Sequence, residues 1–350
     1  MHLVLTSLLL GCAGSDPAPE PTPEPAPVEA PAPPTPPKYA ALFGTLPEVM
    51  ADDPATLTDA KIDLGRSLYY DPRLSKNHDI SCNSCHQLDK YGVDGEPTSP
   101  GHKGARGDRN SPTSYNAALH IAQFWDGRAP DVEAQAKGPV LNPVEMAMPT
   151  ADVVVEVLTS IPGYPPLFEA AFGDATITYD RMAEAIGAFE RKLVTPGPFD
   201  AYLAGDSEAL TDAEKAGLDL FVTTGCTTCH IGPGVGGSMY QKLGLVKPYE
   251  TEDVGRSKAT GKDADKYFFK VPSLRNIEKT GPYFHDGSIA TLDEAVRLMG
   301  THQLGKDLTD EQVQSIVTFL GALTGEIPTE YVAKPTLPES GPTTPKADPS

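Results

Sequence analysis

The sequence predicts a mainly α-helical fold made of two similar helical units. Three observations predict it. Apolar residues recur at helical spacing, with no alternating strand run of useful length; one helix-opening string occurs twice; and each copy leads into a Cys-x-x-Cys-His string.

The first copy runs from Leu57-Thr-Asp-Ala60 to Leu68-Tyr69-Tyr70, the second from Leu210-Thr-Asp-Ala213 to Leu220-Phe221. In each, a threonine stands at the N-cap position and acidic residues occupy the first turn, where backbone N–H groups lack partners. Thr211 with Glu214 fits a capping box. A closing helix is duplicated as well, over Asp180 to Leu193 and over Asp310 to Leu323. Ile186, Phe189 and Leu193 are echoed there by Ile316, Phe319, Leu320 and Leu323 as core stripes. Thr195-Pro-Gly-Pro198 breaks the helical pattern and marks the boundary, giving units over 39–197 and 198–334.

A chain of 350 residues is long enough for two such domains with cores of their own. Its formal charge of −20 argues against nucleic acid as a partner and favours a basic one. No apolar run reaches the ~18 residues that would span a bilayer. Residues 1–12 carry a short apolar run suited to a secretory signal, and Leu9-Leu10-Gly11-Cys12 resembles a bacterial lipobox, whose cysteine becomes lipid-modified. An ordinary cleaved signal is the alternative. Residues 13–38 are dominated by Pro, Ala, Glu and Thr. From Asp16 to Pro37 they form a polyproline-type tether reaching roughly 70 Å at ~3.1 Å per residue. Residues 335–350 are again proline-rich and polar, and read as a disordered tail. These features predict a periplasmic or cell-envelope protein, held to a membrane through a lipid anchor only.

Five cysteines divide into Cys12 and two identical pairs, Cys82-Asn-Ser-Cys85-His86 and Cys226-Thr-Thr-Cys229-His230. Two thiols about one helical turn apart can add to the two vinyl groups of one haem, and the next histidine then supplies a proximal iron ligand. Zinc, a dithiol redox pair and disulfides compete for the same spacing. Zinc does not require a histidine after each second cysteine, and a redox pair needs a βαβ setting that the pattern lacks. Two haem c groups are therefore the expected cofactors.

Four further strings carry a resemblance: Tyr91-Gly-Val-Asp-Gly-Glu-Pro-Thr-Ser-Pro-Gly-His102, Gln123-Phe-Trp-Asp-Gly-Arg128, Asn142-Pro-Val-Glu-Met-Ala-Met-Pro149 and Gly281-Pro-Tyr-Phe-His-Asp-Gly287. With both haem motifs in order, the chain closely resembles bacterial di-haem cytochrome c peroxidases over about Leu46 to Thr329. The resemblance implies two cytochrome c-like helical domains, each with one covalently bound haem. The N-terminal haem would be peroxidatic and the C-terminal one would transfer electrons.

The resemblance also implies the remaining iron ligands: His102 opposite His86 in the oxidised resting form, and Met299 opposite His230. A thioether stabilises ferrous iron and raises the potential, which suits an electron-storing haem. Met239, nine residues past His230, is the rival and has a short path to the other haem face. A methionine in Ala295 to Gly300 is otherwise a core filler, and His102, among Gly101, Gly104 and Gly107, a solvated loop residue. Those glycines would also permit a mobile loop. Reduction of the C-terminal haem would withdraw His102 and open the peroxide site.

Glu145 matches the family's proton-transferring base and Gln135 its orienting polar group, roles that peroxide cleavage needs. On sequence alone each would be a surface residue. Trp125, the only tryptophan, is by default a core anchor; the resemblance sets it between the haems. Asn110, Thr280 and Pro282 match positions whose oxygens bind a calcium ion, a hard cation suited to oxygen ligands. His285 is assigned only to interface or propionate contact. His2, His78, His120 and His302 receive no role.

The implied reaction is hydrogen peroxide reduction with electrons from a small exported cytochrome c or cupredoxin. Family members are commonly dimeric, though no residue marks a homodimer face. The rival readings are a non-enzymatic di-haem electron carrier or redox sensor, and an oxidase acting on another protein. The last is expected to carry tyrosine where Met299 stands.

Overall fold

The computed structural model describes residues 2–3 and 37–350. Cys12, the lipobox and nearly all of the proline-rich tether lie outside the described residues. In the N-terminal half the helices are α1 (Ala40–Phe43), α2 (Asp59–Tyr69), α3 (Cys82–Cys85), α4 (Val132–Leu141), α5 (Ala151–Ser160), α6 (Tyr164–Phe172) and α7 (Tyr179–Glu190). They continue as α8 (Pro198–Leu203), α9 (Asp212–Thr224), α10 (Ser257–Thr260), α11 (Leu292–Leu304) and α12 (Asp310–Gly321). Strands β1 (Tyr240–Lys242) and β2 (Phe268–Lys270) pair antiparallel, with Tyr240 opposite Lys270. At three residues each they are too short for an alternating pattern to announce them. Among the described residues no helix is long and apolar enough to cross a membrane.

The duplicated helices begin as their caps dictate. Thr58 accepts from the Lys61 N–H at 3.3 Å. Thr211 accepts from Glu214 N–H, and the Glu214 carboxylate takes the Thr211 N–H at 2.7 Å, closing the capping box. Opening and closing helices then cross: α2 packs on α7 and α9 on α12. Both crossings are close because a glycine stands at the contact. A Cβ on Gly65 would overlap the Ala185 carbonyl and touch Phe189, and one on Gly217 would overlap the Ser315 carbonyl and press on Phe319. Each crossing seeds a core, one around Leu64, Leu68, Ile186 and Phe189, the other around Leu218, Phe221, Ile316 and Phe319. A fully buried Leu or Phe of this kind contributes ~1.5–3 kcal/mol.

The two cores meet at one buried hydroxyl. Asn116 Nδ2 and Asn276 Nδ2 both donate to Thr195 Oγ1, at 2.8 and 2.9 Å. Their Oδ1 atoms accept from the N–H groups of Thr195 and Gly325 respectively, so the two asparagines play matching parts in the two halves. Both adopt left-handed backbone conformations, which asparagine tolerates well. The repetition continues eight residues on, where Phe124 and Phe284 share positive φ and Trp125 and His285 follow them. Around this joint, the described residues from 37 to 350 form one compact unit.

Residues 335–350 hold no helix or strand. Their partners lie on the N-terminal half: Arg73 donates to Ser340, Ser160 to Thr344, and the Asp348 N–H to the Lys76 carbonyl at 2.9 Å.

Candidate functional site

Both Cys-x-x-Cys-His strings follow directly from the helix packing, and both turn the same way. In each, the histidine N–H donates to the carbonyl of the first cysteine at 3.0 Å, which closes one turn and points the imidazole away from solvent. Gly225, at φ 105°, ends α9 and begins the second motif in a conformation that side chains rarely adopt. Cys82, Cys85 and His86 line one cavity, and Cys226, Cys229 and His230 another. The two pairs therefore do not form one four-thiolate zinc site.

All four thiols are unpaired. Burial pushes them up, Cys85 and Cys226 to about 11, so they are neutral thiols and not the lowered-pKa pair of a dithiol oxidoreductase. Burial also holds both imidazoles neutral, His230 down at about 4, and the backbone around them only partly opposes this. Two neutral thiols and a neutral buried imidazole on one wall are the donor set that covalent haem requires, and both cavities have it.

The cavities differ in what else they contain. Met299, on α11, reaches the cavity of Cys226, Cys229 and His230; Met239 does not line it. Gln135 and Glu145 line the cavity of Cys82, Cys85 and His86. Gln135 is carried by α4, which Asp131 caps by accepting from Ala134 N–H at 2.7 Å. Glu145 sits on the turn after α4, fixed by its own N–H to the Asn142 carbonyl at 3.0 Å. Burial raises the Glu145 carboxyl above the usual range, with Arg128 and Asn142 opposing. Glu190, on α7, lines the same cavity, and burial and Glu133 push it to about 8.

His102 lies beside this cavity but does not line it. Its N–H donates to the Glu145 carbonyl at 2.8 Å, and its Nε2 faces the Ser350 carbonyl at 3.4 Å. Gly101 makes the seat, because a Cβ there would overlap the Val144 carbonyl. Gly104 and Gly107, by contrast, stand in open space.

Trp125 lines both cavities. Its Nε1 donates to the Asn110 carbonyl at 2.9 Å, and the Asn110 N–H donates to the His285 carbonyl at 2.8 Å. His285 is buried, with Nε2 3.2 Å from Thr251 Oγ1, and Arg109 ties the same region together by pairing with both Asp126 and Asp253. Asn110, Thr280 and Pro282 share the wall of the second cavity.

Sequence reasoning passes over His120 and Lys270, which the fold brings together inside that cavity. No periodicity marks them; only the two-stranded ladder does, by turning Lys270 inward.

The sequence profile of the di-haem cytochrome c peroxidases matches residues 59–208. The cytochrome c551 peroxidase of Nitrosomonas europaea is 50% identical over 290 residues, 82% of this chain and 86% of that protein. That of Pseudomonas aeruginosa is 45% identical over 316 residues, 88% of this chain and 90% of its own. Among solved structures, a MauG-like protein associated with microbial copper homeostasis superposes with a TM-score of 0.73 at 29% identity, covering 84% of this chain and 97% of that one.

Proposed function

The chain belongs to the di-haem cytochrome c peroxidase family and carries cytochrome c peroxidase activity; from that premise we propose that it reduces hydrogen peroxide to water beside Glu145 and Gln135. The electrons come from a small exported cytochrome c or cupredoxin. One observation carries this reading. The carboxyl and the amide share a cavity with the first thiol pair and His86, whereas the second cavity offers Met299 instead.

Cys82, Cys85 and His86 would hold one haem, whose iron would supply the chemistry that cleaves the oxygen–oxygen bond. Glu145 takes the proton from the bound peroxide and returns it to the departing oxygen, for which its raised pKa suits it. Gln135 orients the bond by hydrogen bonding. His102, whose N–H donates to the Glu145 carbonyl beside the cavity, would block the site in the oxidised resting form and leave it once the other centre is reduced. At the other centre Met299 and His230 would hold the iron of the second haem, which would supply stored electrons, and Trp125, lining both cavities, would lie between the two centres. Asn110, Thr280 and Pro282 offer amide, hydroxyl and carbonyl oxygens to a calcium ion. Domains over 39–197 and 198–334 divide the two roles. The apolar start and Cys12 support export and a lipid anchor, with the working site in the cell envelope; the family resemblance supports a homodimer. The charge of −20 favours a basic docking face on the donor, with rates that fall as salt rises.

The test is stopped-flow peroxide reduction by the half-reduced, calcium-loaded protein with a reduced cytochrome present. Stoichiometric oxidation of the cytochrome supports the reading. Electron exchange without peroxide consumption makes the chain a carrier.

A further inference from the structure

The wall of the second cavity carries a cation without an anion. Lys270 is 6% exposed, and among the described residues its only side-chain partner is a neutral one, His120 Nδ1, at 3.1 Å. No carboxylate offsets its burial, which lowers its pKa to about 8. His120, accepting from Lys270 through Nδ1, carries its proton on Nε2, and that buried N–H has no hydrogen-bond partner. Burial and the neighbouring ammonium hold this imidazole neutral, well below its usual range. Gly237 makes room for the ring, since any Cβ there would overlap it. A buried ammonium lacking a counter-ion and an orphaned buried donor each weigh against the folded state. The two costs coincide on one wall, and a single anionic oxygen pair would relieve both.

We propose that Lys270 and His120 form a carboxylate seat for one propionate of the haem attached at Cys226 and Cys229. The inference rests on haem attachment at that motif and not on peroxide turnover. The ligand class follows from the setting. The cavity wall is otherwise largely apolar, and the covalent anchors and Met299 belong to the same cavity. The carboxylates such a cofactor brings are the anions available there. Seated in this way, the propionate is neutralised beside the iron. The backbone N–H of Lys270 also donates to the Trp125 carbonyl at 2.8 Å, so the seat is fixed to a residue that lines both cavities.

The test is potentiometric titration of the mature di-haem protein and of Lys270→Met and Lys270→Arg, with each haem followed by its own visible band. Loss of the cation leaves the propionate uncompensated and favours ferric iron. In Lys270→Met the C-terminal haem's ferrous-to-ferric ratio at fixed potential should fall about tenfold, about 59 mV for one electron. The N-terminal haem should not move, and Lys270→Arg should stay near wild type. An unchanged C-terminal potential in Lys270→Met, or an equal fall in Lys270→Arg, overturns the proposal. Should Lys270→Met fail to mature, Lys270→Gln carries the same test, with a lowered potential supporting the seat and an unchanged one refuting it. Peroxide turnover enters none of these readouts, so failure of the peroxidase reading would leave the result interpretable.

Discussion

The backbone N–H of His102 donates to the carbonyl of Glu145 at 2.8 Å. The loop that carries His102, the proposed resting-state ligand, and Glu145, the proposed proton-transfer residue, are thus fastened to each other through main-chain atoms. A side-chain change at His102 can therefore remove the ligand while leaving Glu145 where it is. His102→Gly should be active in the fully oxidised protein without prior reduction, measured as peroxide-dependent cytochrome oxidation from the first turnover. A variant that still requires reduction would show that His102 does not close the site.

Glu145→Gln keeps the shape of the turn and removes the proposed proton acceptor. Turnover should fall ~10²–10⁴-fold with both haem spectra intact. Because burial raises the carboxyl, the wild-type rate should decline as pH falls at a higher pH than an ordinary carboxylate would give. A pH–rate profile with no acid limb would contradict the assignment.

Met299→His exchanges a thioether for a stronger donor to ferric iron. The potential of the C-terminal haem should drop, and its absorption should become that of a bis-histidine centre. An unchanged potential would exclude Met299 as ligand.

Glu190 makes stability depend on pH. Its carboxyl is pushed from 4.5 to about 8, so its contribution is fully present below pH 4.5 and is lost as pH rises towards about 8. Glu190→Gln should remove that slope, seen as denaturation midpoints of the holoprotein that change less than wild type between pH 5 and pH 9. An identical slope would place the titration elsewhere.

Gly217→Ala sets two effects against each other. Alanine favours a helix by ~1 kcal/mol over glycine, whereas the added Cβ overlaps the Ser315 carbonyl at an unyielding backbone contact costing ~1–3 kcal/mol. Overlap should win and lower the denaturation midpoint. Gly321→Ala, where a Cβ meets nothing within 4 Å, should not lower it.

Much of the helical frame was legible in the residues. Thr211 with Glu214 announced a capped start, and Phe189 and Phe319 announced matched closing helices, because caps and stripes are local signals. Gly65 and Gly217 lay inside those helices without revealing why alanine would not serve; the reason is a carbonyl more than ninety positions away. The shared use of Thr195 by Asn116 and Asn276 was hidden for the same cause. At the site, the two cysteine motifs stated their chemistry outright, whereas Glu145 and Gln135 became candidates only through resemblance. Lys270 and His120 carried no signal, since an uncompensated charge exists only once a fold has buried it.

The account depends most on the two centres being unlike. The direct measurement is optical and magnetic spectroscopy of the half-reduced holoprotein before and after one equivalent of hydrogen peroxide. The account predicts a ferric N-terminal iron with an accessible sixth position that reacts at once, beside a six-coordinate ferrous C-terminal iron that is oxidised as the reaction proceeds. Two six-coordinate irons, neither changed by peroxide, would contradict it.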